Sequence, residues 1–114
     1  MLTISKLLAE IDEYSRLPAG WDGESDVKTN QICLDMAKKF VKLLRPEHVL
    51  PEVSAATGEE VALYWQDNQF YFIIHFFANG SLRYFYKTSE KKESGVVQAF
   101  FDLMPMEIEK KIPY

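Results

Sequence analysis

The chain has 114 residues, 17 of them acidic and 13 Lys or Arg, for a formal net charge of −4. At 47% hydrophobic and 14% aromatic it has enough apolar surface for one stable domain without metal or disulfide staples, and it is no disordered chain. The acidic balance argues against nucleic acid as a partner, because the densest cationic group, Lys87 with Lys91 and Lys92, is diluted by Glu90 and Glu93; a partner with a basic surface is the expectation.

Taken in chain order, the first element is a helix over about residues 3–17, in which Ile4, Leu7, Leu8, Ile11, Tyr14 and Leu17 recur at spacings of three and four, with Thr3 as its cap and Leu17-Pro18 as its end. A loop over residues 18–26 with two glycines precedes a second helix over about 29–45. There Thr29 is the cap, and Ile32, Cys33, Met36, Ala37, Phe40, Leu43 and Leu44 form the apolar stripe. Arg45-Pro46 stops it. From residue 52 the period changes to two. Strands are expected at about 52–56, 60–66, 69–78 and 81–87, with two-residue hairpin turns at Asp67-Asn68 and Asn79-Gly80. A short C-terminal helix over about 95–104, presenting Val96, Val97, Phe100, Phe101 and Met104, completes the chain. The fold class that results is α+β, a single domain of two N-terminal helices on a four-stranded antiparallel meander plus the short last helix.

Two-residue turns would place Trp65 opposite Phe70 and Ile74 opposite Phe85. One sheet face then carries Val61, Leu63, Trp65, Phe70, Phe72, Ile74, Phe76 and Phe85, and should lie under the helices. The opposite face carries Tyr64, Tyr71, Ile73, His75, Phe77, Leu82, Tyr84 and Tyr86. Tyrosine suits a surface that is dry in a complex and wet outside it. Tyr64, Tyr71, His75, Tyr84 and Tyr86 are therefore the candidate binding residues, with Trp21 in the loop as either a core plug or an anchor. The competing reading is that the last helix or the 18–26 loop covers this face as a second core layer.

Signatures of catalysis are lacking. His75 sits among tyrosines with no carboxylate on its strand face, and His48 reads as a solvated loop residue. Asp22, Glu24 and Asp26 alternate like the start of a calcium loop, but the closing glutamate is missing, so no metal site is expected. Cys33 falls on the buried helix stripe, where it packs and does not react, and a lone cysteine fits a reducing compartment. The first residues alternate charged and apolar types, unlike a signal peptide. The longest apolar-rich stretch, residues 70–78, contains His75 and is too short for a bilayer helix. The expected setting is the cytoplasm, with no membrane partner and no cofactor.

The run Leu17-Pro18-Ala19-Gly20-Trp21-Asp22-Gly23 and the helix ending in Phe40 and Leu43-Leu44 resemble a family of small uncharacterised bacterial proteins with a Leu-Pro-x-x-Trp-Asp-Gly loop. Pro51-Glu52-Val53, Gly58, Val61-Ala62-Leu63-Tyr64-Trp65 and Tyr84 match its later strand features, whereas the family's proline before the second helix is missing here. The resemblance implies an α+β domain with a Tyr/Trp-rich antiparallel sheet and no catalytic residues. The leading functional expectation is a non-enzymatic protein-binding module of inhibitor, antitoxin or immunity type that works by steric occlusion, a phage-encoded inhibitor of a bacterial defence system included. A small-molecule-binding domain with its pocket between sheet and helices, and a hydrolase using His75, are the alternatives. A homodimer through the tyrosine face is compatible with each.

Overall fold

The computed structural model describes residues 3–16, 30–55, 61–98 and 103–114. Its elements are α1 (Ile4–Arg16), α2 (Gln31–Lys42), β1 (Glu52–Ala55), β2 (Val61–Gln66), β3 (Phe70–Phe76), β4 (Leu82–Thr88), β5 (Lys92–Val97) and α3 (Met106–Glu109). The five strands form one antiparallel sheet in meander order. The α+β class and the antiparallel meander agree with the pattern of the chain. The strand count and the last helix do not.

Both long helices start as their capping residues dictate. The Thr3 hydroxyl accepts the Lys6 N–H at 3.2 Å, and the Thr3 carbonyl accepts the Leu7 N–H at 2.9 Å. In α2 the cap is Asn30 in place of the expected Thr29, which lies outside the described residues. Asn30 Oδ1 accepts the N–H groups of Ile32 and Cys33 at 2.9 and 3.3 Å. Leu7 and Ile11 of α1 meet Cys33, Met36, Ala37, Phe40 and Val41 of α2 in one buried cluster. Leu34 joins that stripe and Ile32 leaves it, 53% exposed. Lys38 and Asp12 tie the helices together at 2.6 Å. Beneath the helices lie Val61, Leu63 and Trp65 of β2, Phe72, Ile74 and Phe76 of β3, and Leu82 of β4. Trp65 stacks on Phe72 at 5.3 Å, and Phe40 meets Phe76 edge-on at 5.8 Å. Each such side chain stabilises the fold by roughly 1.5–3 kcal/mol.

Register departs from expectation at both turns. After β2, the Asp67 N–H donates to the Phe70 carbonyl at 3.0 Å, and Asp67 Oδ1 accepts from Gln69 and Phe70. The turn therefore centres on Asn68-Gln69, and Trp65 faces Phe72. A shift of two leaves every side chain on its expected face. After β3 the loop is one residue longer than expected. The Phe77 N–H donates to the Ser81 carbonyl, and the Gly80 N–H to the Phe77 carbonyl, each at 3.0 Å. Gly80 takes φ +90°, and Asn79 Oδ1 holds the Ser81 N–H and hydroxyl. This is the three-residue hairpin loop with glycine in the left-handed region. Phe76 now faces Leu82, Ile74 faces Tyr84 and Phe72 faces Tyr86. A shift of one turns β4 over. Tyr84, Tyr86 and Leu82 face the helices, and Phe85 faces away.

The predicted helix at 95–104 is corrected at its start, where the chain continues as β5. The Thr88 hydroxyl accepts the N–H groups of Glu90 and Lys91, and the Thr88 N–H donates to the Lys91 carbonyl at 2.9 Å, which reverses the chain. Gly95 and the β-branched pair Val96-Val97 are poor helix formers that suit an edge strand. Residues 99–102, with Phe100 and Phe101, lie outside the described residues. The C-terminal segment returns to the helix side of the sheet, where Ile108 and Ile112 join the core cluster at 0% and 2% exposure. It also overturns the solvated reading of His48, which is 4% exposed. The His48 ring lies 4.8 Å from that of Tyr114, and its Nδ1 accepts the Arg45 N–H at 3.0 Å.

Candidate functional site

The sheet has two faces of opposite fate. Tyr84 and Tyr86 pack against the buried cluster on the helix side, and the chain's C-terminal segment locks them there. The Lys111 ammonium lies 5.4 and 5.8 Å over their rings, its side chain 7% exposed, and reaches Glu93 Oε2 at 3.0 Å. That hydrogen bond, helped by the charges of Lys111, Lys91 and Lys110 and opposed by burial, holds the Glu93 carboxyl below its ordinary pKa. These two tyrosines are therefore half-buried on the helix side and are not brought together with the other candidates.

Tyr64, Tyr71 and His75 do share the outer face. The ladder places Tyr64 beside Ile73, Ala62 beside His75, Ile73 beside Phe85, and His75 beside Arg83. The rings of Tyr71 and Phe85 stand 6.5 Å apart, and the Arg83 guanidinium covers Phe77 at 5.4 Å. Phe85 and Val96 are 36% and 46% exposed, and Tyr71, Ile73, His75 and Phe77 are half-buried. None of these belongs to the core cluster, and both long helices pack on the opposite side. At the β1 edge, the Tyr64 hydroxyl donates to the Glu52 carboxylate; that bond, then burial and the Glu52 charge, raise the Tyr64 pKa. Trp21 lies outside the described residues, as do Asp22, Glu24 and Asp26.

Arg83 and Phe85 are the outer-face residues that turn geometry alone misassigns, and Val96 is the one that the expected helix at 95–104 hid. A signal for the first two exists in β4 itself. Arg83 and Lys87 flank Phe85, while Leu82, Tyr84 and Tyr86 alternate with them. Burying two cations costs far more than exposing one ring, which selects the observed face.

Open grooves lie at one end of the sheet. One of about 800 Å³ runs between the turns at Asp67 and Ser89, past Tyr71, Tyr86 and Lys87. Another of about 680 Å³ lies between Tyr64, Trp65 and Tyr114. Neither lies between the sheet and the helices, where the packed cluster sits. Among the described residues no group of three His, Cys, Asp or Glu is placed to hold a metal, and no helix is long and apolar enough to cross a membrane. Comparison with family models, with curated proteins and with solved structures finds no match to this chain.

Proposed function

We propose that the protein is a non-enzymatic recognition module that docks a partner protein on the outer face of its sheet and blocks the partner's working surface by occlusion, in the manner of inhibitors, antitoxins and immunity proteins. The observation that carries this reading is the aromatic and aliphatic centre formed by exposed Phe85 and Val96 with half-buried Tyr71 and Ile73, on the side of the sheet opposite the two long helices. A sheet face turned to water ordinarily alternates to polar residues. A contiguous apolar patch rimmed by polar and charged groups is the anatomy of a protein interface. Tyr64 and His75 extend the patch toward β1 and supply hydrogen-bonding groups at its margin.

The test is affinity capture from the native host, with mass spectrometry and a measured affinity for whatever protein is retained. Tyr71→Ala and Phe85→Ala should each weaken that complex by about 2 kcal/mol, as expected for central interface rings, and leave the melting temperature nearly unchanged. Full retention by both variants contradicts the reading.

A further inference from the structure

Resting on that reading of the outer face, we infer that the partner is an acidic polypeptide segment carrying apolar side chains between its carboxylates. The whole chain is acidic, yet this face is not. Its strands carry Arg83, Lys87 and Lys92 against the single carboxylate of Glu52, which is engaged by Tyr64. The acids with short ion-pair contacts lie elsewhere: Asp12 holds Lys38, Glu109 holds Arg45, and Glu93 holds Lys111.

The decisive juxtaposition is Lys87 directly opposite Lys92 across the β4–β5 ladder. Like charges at opposed positions destabilise a sheet. Among the described residues neither lysine has an ion-pair partner, and both are exposed. An anionic group seated there relieves the repulsion and gains two charge-assisted contacts. Arg83 continues the cationic rim beside the apolar centre, so carboxylates at the rim and apolar side chains over Ile73, Phe85 and Val96 fit at once.

The same inventory argues against two other occupants. A second copy of this chain would set one cationic face against another. A single nucleic acid strand needs stacking rings along its path and many cations, whereas the centre here is in part aliphatic, and the cations are confined to one side.

The experiment is an amide chemical-shift titration of the full chain with three probes: a short peptide alternating Glu and Leu, its Lys and Leu counterpart, and an oligothymidylate. The Glu peptide should shift the amides of Ile73, Arg83, Phe85, Lys87 and Val96, and added salt should weaken it. Lys87→Glu should reduce its affinity by about tenfold without lowering the melting temperature, since this change replaces a repulsive pair with an attractive one. Undiminished binding to Lys87→Glu overturns the inference, as does preference for the oligothymidylate. If the Lys peptide binds more tightly at the same amides, the docking face stands and its charge assignment falls. If no probe shifts them, the inference falls, and the aromatic substitutions above decide the docking face on their own.

Discussion

Tyr84 lies against Gly95 so closely that a Cβ there would come within 2.6 Å of the phenol oxygen and 2.7 Å of a ring carbon. The ring cannot retreat freely, because Phe72 stands edge-on at 6.4 Å and Lys111 covers it. Gly95→Ala should therefore cost about 1–3 kcal/mol in urea unfolding. Most of that cost should vanish in a Tyr84→Ala background, and a double-mutant cycle with no coupling would contradict the contact. Two residues away, Glu93 makes a prediction about pH. Its carboxyl titrates lower in the folded state than in the unfolded one, because Lys111 donates to the ionised form. The stabilisation is thus fully present above the ordinary glutamate pKa and is lost as pH falls through the lowered value. Glu93→Gln should be less stable than the parent at neutral pH, and the two melting temperatures should converge in acid. A gap that does not change with pH would show that the bond is not selective for the carboxylate.

Among the elements, the β3–β4 hairpin decides which residues the protein shows to the outside. Nothing lies within 4 Å of a Cβ built at Gly80, so a side chain there meets only backbone strain at φ +90°. Gly80→Val should cost about 1–2 kcal/mol, with Gly80→Asn milder because asparagine tolerates the left-handed region. Equal stability of all three would mean that the loop is not the one described. This hairpin also marks how far the amino-acid pattern reads through to the structure. The helix stripes, the Thr3 cap, buried Cys33 and the apolar layer of β2 and β3 were legible, since each follows from spacing within one element. Asn79-Gly80 announced a turn correctly, but the dipeptide fits both a two-residue loop and the last positions of a three-residue loop, and the difference inverts the next strand. The alternation of Arg83, Phe85 and Lys87 carried the missing information. β5 was hidden for another reason: Val96, Val97 and the phenylalanines after them match a helical spacing, and only the Thr88–Lys91 turn shows the chain reversing. His48 could not be placed locally, because the ring packed on it belongs to Tyr114 at the far end of the chain, where the Pro113 carbonyl also accepts the Val49 N–H.

At the scale of the whole molecule, two layers divide the chemistry. Helices and the C-terminal segment close over one side of the sheet. The other side keeps an apolar centre with a cationic rim, although the chain as a whole carries −4. Among the described residues, the ion-paired acids Asp12 and Glu109 lie on the helices, and Glu93 pairs with Lys111 on the helix side of the sheet. The orientation of β4 decides which side chains form the outer face, and native-state thiol labelling of Phe85→Cys and Leu82→Cys measures it most directly. The background is clean, since the natural thiol, Cys33, is 1% exposed. Phe85 is 36% exposed and Leu82 is fully buried, so the thiol at 85 should react rapidly with Ellman's reagent and the thiol at 82 only on unfolding. Rapid labelling at 82 with protection at 85 would contradict the account.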